Sequence, residues 1–184
     1  MKRSILVLFL FVANLSMGQS TWKVDGGHSS INFAVSHLVI SETTGSFDKF
    51  DITAITGEGF ADPKFNVSIE TASVNTKNSR RDDHLRAPDF FSADKYPAIV
   101  FKSTSYKKTG EKTFALSGDI TIKGITKKAS FTGKLNGVLK NDRGEKAGLK
   151  LTTTINRSDF NVGGSGGSVG EEVEVTINVE MEKQ

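Results

Sequence analysis

Apolar residues recur at every second position in one short segment after another, and this period of two constrains the chain more than any other feature. Only an extended strand with one buried face uses that spacing. The pattern runs through Ile31, Phe33 and Val35, then Phe47 to Ala54, then Phe65, Val67 and Ile69, then Ile99, Phe101 and Ser103, then Phe114 and Leu116. It continues through Phe131, Leu135 and Val138, through Leu149, Leu151, Thr153 and Ile155, and ends with Val173, Val175, Ile177, Val179 and Met181, some eight segments in all. Gly, Asn and Asp residues punctuate them as turns. The clearest unit is Leu116 to Lys127. Ile120 and Ile122 share one face there, Asp119, Thr121 and Lys123 the other, and Gly124 supplies the turn of a β-hairpin. The expected class is all-β, with eight antiparallel strands in a barrel or sandwich.

One stretch breaks the alternation. From Asn75 to Arg86 the sequence predicts a short helix, with Asn78 or Ser79 as its cap and Pro88 discouraging its continuation. A second helical turn is expected over Leu38 to Thr43, so one or two short helices accompany the sheet.

The first residues predict a destination. Met1-Lys2-Arg3, the apolar run Ile5 to Ala13 and the small residues Ser16 and Gly18 have the form of a secretory signal peptide over residues 1–18. A single domain over 19–184, periplasmic or secreted, is the expectation. No cysteine is present, so disulfides, cysteine-ligated metals and a lipid-modified cysteine anchor are excluded. Without Lys2 and Arg3, 22 basic residues face 21 acidic ones, and both signs are interspersed. Nucleic acid is therefore not an expected partner.

An eight-stranded barrel interior is either filled by its own side chains or holds a small ligand. Thirteen phenylalanines against two tyrosines and one tryptophan suit an oily interior. They serve an ordinary core equally well.

Asp25 to Leu38, Gly45 to Phe50, Arg81 to Arg86 with Asp89-Phe90-Phe91, Tyr96 to Ser103, the Leu116 to Thr126 hairpin and Asn156 to Phe160 together resemble, in that order, the segments of the YceI family of exported lipid-binding proteins with a lipocalin-like fold. Asn161 stands where that family usually carries glycine, and asparagine tolerates the left-handed backbone such a turn requires. The resemblance implies an eight-stranded antiparallel lipocalin-like barrel holding a polyisoprenoid, such as a quinone tail, or another long-chain lipid. At about 0.8 kcal/mol per buried CH₂, a tail of some 20 carbons gains a gross ~16 kcal/mol before ordering costs. Delivery of such a cargo implies transient membrane contact through a mouth that opens, while pairing of two barrels into a homodimer stays open.

On that reading Phe33, Val35, Phe101, Ile120 and Ile122 are the expected lining residues. His37, at the end of a strand, is the polar candidate for a head group, and Arg81 and His84 on the helix are further candidates at the mouth. The alternative for Arg81 is structural, tying the helix to the barrel, and Asp82 is placed to pair with Arg86 one helical turn on. His28, His37 and His84 do not have metal-site spacing, since His28 and His37 stand about 30 Å apart if fully extended. No cofactor is called for. The Gly-x-Ser-x-Gly spacing occurs only within the glycine-rich run, at Gly163 to Gly167 and Gly166 to Gly170, which leads into a strand rather than into the helix a nucleophile elbow requires, so a hydrolase is unsupported. The glycine-rich segment Gly163 to Gly170 runs toward a strand rather than a helix, so it reads as a hairpin loop or a lid over the mouth, not a phosphate cradle. Non-enzymatic lipid carriage leads, with an exported metal-dependent enzyme and a ligand-free partner-binding β domain as its competitors.

Overall fold

The structure is a computed structural model that describes residues 18–164 and 167–184. The expected signal segment lies outside the described residues but for Gly18, as do Ser165 and Gly166 of the glycine-rich loop.

Eleven strands form one antiparallel sheet: β1 (Ser20–Val24), β2 (Ser30–His37), β3 (Ser41–Phe47), β4 (Phe50–Thr56), β5 (Lys64–Glu70), β6 (Val74–Asn75), β7 (Ala98–Lys108), β8 (Thr113–Ile122), β9 (Ile125–Asn141), β10 (Gly144–Asn156) and β11 (Val169–Lys183). Eight of them, in the order β1-β4-β5-β7-β8-β9-β10-β11, close into a barrel because β11 also pairs with β1. The same edge of β11 first pairs Val169 to Asn178 with β2 and then Met181 to Lys183 with β1. Beyond β2 the sheet continues through β3 to the two-residue β6. The expected barrel is thus present, with β2, β3 and β6 as an added flap.

Side-chain parity explains where these strands break. Trp22 and Ile31 are both buried although one number is even and the other odd, and an unbroken strand would send them to opposite faces. A 3-10 turn at Gly26–His28, capped by Asp25, absorbs the difference. Phe47 and Ile52 pose the same conflict, resolved at Asp48-Lys49, so the single expected strand Phe47 to Ala54 is two. A shift in the β9–β10 register between Gly148 and Leu149 lets Ala129 and Phe131 face the core with Leu149 and Leu151.

The β8–β9 turn is as expected. Lys123 and Gly124, both left-handed at φ 49° and 77°, form the two-residue connection that matches the sheet's twist. The expected helical turn at Leu38 to Thr43 is not formed. Leu38 to Ile40 are instead the tip of the β2–β3 hairpin, and Ser41 to Thr43 already belong to β3. Periodicity over so few residues does not separate a helical turn from a hairpin tip.

The one α-helix of the described residues, α1 (Ser79–Arg86), begins where Asn78 Oδ1 accepts the Arg81 amide and ends at Ala87, before Pro88. Its expected Asp82–Arg86 pair is not made. Asp82 is buried and accepts hydrogen bonds from the Thr76 amide and hydroxyl at 2.8 and 2.6 Å, while Arg86 pairs with Asp83 at 2.9 Å. Two donors in a dry pocket outcompete a solvated ion pair worth a few tenths of a kcal/mol.

Candidate functional site: an apolar cavity at one end of the barrel

The two ends of the barrel differ. One is solid: Trp22, Phe60, Phe65, Phe114, Leu149 and Met181 fill it, with Trp22 edge-on to Phe60 at 5.0 Å and its indole N–H donated to Thr56 Oγ1 at 2.9 Å. The other end encloses a cavity. Its volume is about 180 Å³, and it opens to solvent at a mouth.

The walls follow from strand alternation. Inward residues are Ile31, Phe33 and Val35 of β2, Val67 and Ile69 of β5, Ile99 and Phe101 of β7, Ile120 and Ile122 of β8, Thr153 and Ile155 of β10, and Val173, Val175 and Ile177 of β11. Leu85, Phe90 and Phe91 reach in from α1 and the turn after it, Phe160 and Val162 from the segment that joins β10 to β11, and Val169 from the start of β11. Phe47 bridges these groups, 5.7 Å from Phe33 and 5.8 Å from Phe91 between ring centres. Gly45 opposes Phe33 across the β2–β3 pair, and a side chain there would collide with the Phe33 ring.

Of the eight residues expected from sequence, Phe33, Val35, Phe101, Ile120 and Ile122 face this one cavity. Arg81 and His84 are not among its lining residues, and neither is His37, which ends β2 at its rim. Arg81 donates from Nε and Nη2 to Thr76 Oγ1 and the Thr76 carbonyl, at 2.7 and 2.9 Å, and so ties α1 to the end of β6. His84 is exposed, its Nε2 lies 2.7 Å from Asp89 Oδ2, and its ring packs edge-on against Phe90. That contact holds the Asp89 carboxyl below its usual range. His37 ends β2 opposite Val169.

Arg157 is the residue that sequence reasoning did not single out. It is 6 % exposed and has no carboxylate partner among the described residues. Its guanidinium donates from Nε to the Gly170 carbonyl at 2.7 Å, from Nη1 to those of Val162 and Gly164 at 2.9 Å each, and from Nη2 to that of Val169 at 2.9 Å. A planar fork of fixed donors suits such a set of carbonyls. The described residues on either side of Ser165-Gly166 are held by this clamp, by the Gly163 amide on the Asp89 carbonyl and by the Leu38 amide on that of Ser168. Lys123, at the β8–β9 turn, donates to the Asn161 carbonyl at 2.6 Å. Asn161 itself is left-handed at φ 54°. The signal for Arg157 was its place in the Asn156 to Phe160 motif, but carbonyl partners leave no trace in a sequence.

Among the described residues one group has metal-ligating geometry, Asp25, His28 and Glu180. Lys146 Nζ already lies 3.3 Å from Asp25, 2.6 Å from Glu180 and 2.8 Å from Glu182, so the carboxylates are neutralised by an internal cation. This cluster stands apart from the cavity walls.

A profile described as a YceI-like domain matches residues 22–181, essentially the whole barrel. The chain belongs to the YceI family. A UPF0312 protein of Pseudomonas putida strain W619 is 37% identical over 192 residues, covering 100% of this chain and 99% of the relative. Among YceI structures, a Campylobacter jejuni YCEI protein superposes with a TM-score of 0.75 at 33% identity, covering 81% of this chain and 90% of its own. A polyisoprenoid binding domain from Saccharophagus degradans shares the fold, with a TM-score of 0.70 at 15% identity, covering 89% of this chain and 98% of its own.

Proposed function

We propose that this YceI protein is a non-enzymatic carrier or store for a polyisoprenoid or similar long-chain lipid, acting in the periplasm or after secretion. The observation that carries the proposal is the cavity wall: aliphatic and aromatic side chains on every strand that reaches it, with the Arg157 charge already spent on main-chain carbonyls. The wall carries no carboxylate, imidazole or amine to move a proton, and its Thr153 hydroxyl and Asn32 amide already donate to the Ser130 carbonyl and Ser30 Oγ, whereas each methylene it buries gains about 0.8 kcal/mol. The relationship to a fold whose Saccharophagus member is a polyisoprenoid binding domain points the same way.

Organic extraction of the processed protein followed by mass spectrometry tests the reading. About one prenyl lipid per chain is the expected result. An apolar extract without lipid, from a protein that also fails to take up added prenyl quinone, would overturn it and favour a partner-binding domain.

A further inference from the structure

The β2–β3 hairpin tip combines two properties that conflict unless the tip has a use. Leu38, Val39 and Ile40 are consecutive and project outward, 55%, 96% and 85% exposed. Leu38 and Val39 also hold left-handed backbone, at φ 54° and 63°, a conformation suited to asparagine and glycine and costly for a β-branched residue. At the β8–β9 turn the same backbone is filled by Lys123-Gly124, which suits both the conformation and water. The tip therefore gives up local stability and solubility together.

Its position is equally specific. The Leu38 amide is bonded to the Ser168 carbonyl at 2.6 Å, and His37 pairs with Val169, whose side chain lines the cavity. The apolar tip thus stands at the rim of the apolar cavity.

We infer that Leu38-Val39-Ile40 is a docking element that inserts into the apolar layer of a lipid membrane and brings the cavity mouth against it. Three side chains on a narrow turn fall far short of the roughly 800 Å² per partner of a stable protein interface, whereas a bilayer asks only for a protruding apolar point. Charge sets the mode of contact. Between His28 and Lys49 there is no lysine or arginine, and Glu42 lies two residues beyond the tip, so docking is apolar rather than a response to anionic lipid. This inference rests on the carrier reading for its purpose but not for its test.

The test is flotation of the processed protein with vesicles of phosphatidylcholine, without cargo, alongside the Leu38→Asn/Val39→Gly double variant. Asparagine and glycine relieve the backbone, so the variant keeps or raises its thermal midpoint while its vesicle association falls by about tenfold or more. The association of the parent protein is insensitive to added salt. A parent protein that stays in solution, or a variant that floats equally well, overturns the inference. So does a concentration-dependent dimer abolished by the same double variant, which would assign the tip to a second copy. Uptake of prenyl quinone from detergent separates the two claims: a protein that floats but takes up none retains docking and loses the carrier reading, and the converse loses docking alone.

Discussion

Replacing Arg157 by methionine removes the clamp on the glycine-rich segment while keeping a side chain of similar reach. Four hydrogen bonds from a charged donor are lost, at about 1.5–3 kcal/mol each, for a gross ~6–12 kcal/mol. Two effects offset most of this. The buried charge no longer carries its desolvation penalty of several kcal/mol. The freed carbonyls of Gly164, Val169 and Gly170 also lie near the surface, where water reaches them once the segment relaxes. The expected net loss is about 2–4 kcal/mol, read as a lower urea midpoint at unchanged slope. Arg157→Lys recovers only part of it, because an ammonium donates from one atom and does not span four carbonyls. Hydrogen exchange then separates global from local effects: the Leu38 and Gly163 amides, bonded to Ser168 and Asp89, lose protection first. A loss below about 0.5 kcal/mol with both amides still protected would refute the clamp.

Three further outcomes follow from the packing and the charges. Gly133→Ala drives a methyl into the Phe114 ring at the filled end and costs about 1–3 kcal/mol, seen as a thermal midpoint lower by about 2–12 °C; an unchanged midpoint would show that this end is loosely packed. Val175→Trp places a large ring in the cavity, so the protein folds with stability within about 1.5 kcal/mol of the parent but binds prenyl quinone at reduced stoichiometry; full binding in a titration would move the tail elsewhere. The pH profile has two slopes. Asp25, Asp48 and Asp89 are held below their usual 3.8 by hydrogen bonds from His28, from Asn75 and from His84 respectively, so their contribution is present above that value and is lost as the pH falls through the lower folded values. His28 is raised above 6.5 by Asp25, so its contribution is present below 6.5 and lost as the pH rises through the folded value; His28→Gln removes that slope in denaturation measured across neutral pH, and a persisting slope would assign it to another group.

Strand content was legible because burial on one face writes itself into every second residue. The cavity wall was partly legible for the same reason: Phe33 and Val35, Ile120 and Ile122 must share a face, and that face proved to be the inner one. Alternation says nothing about how much space inward residues leave, so a filled end and an open end look alike in sequence. The breaks at 25–29 and 48–49 were readable from the parity conflicts between Trp22 and Ile31 and between Phe47 and Ile52, but only once all four are known to be buried. β1 was overlooked because five residues with two apolar positions give too short a period to stand out. The polar candidates show what sequence reasoning lacks. His37, Arg81 and His84 attracted notice by residue type, yet Arg81 and His84 are committed to Thr76 and Asp89, whereas Arg157 acts through main-chain groups that no side-chain pattern reveals.

Loading the protein over residues 19–184 with a prenyl quinone that bears a photoreactive group along its tail, then irradiating and mapping the adducts by peptide mass spectrometry, tests the central claim most directly. Adducts on cavity-facing positions such as Phe33, Phe101, Ile120 and Val175 are the predicted result. Adducts confined to outward apolar residues such as Val138 and Leu139, at the β9–β10 hairpin, would contradict it.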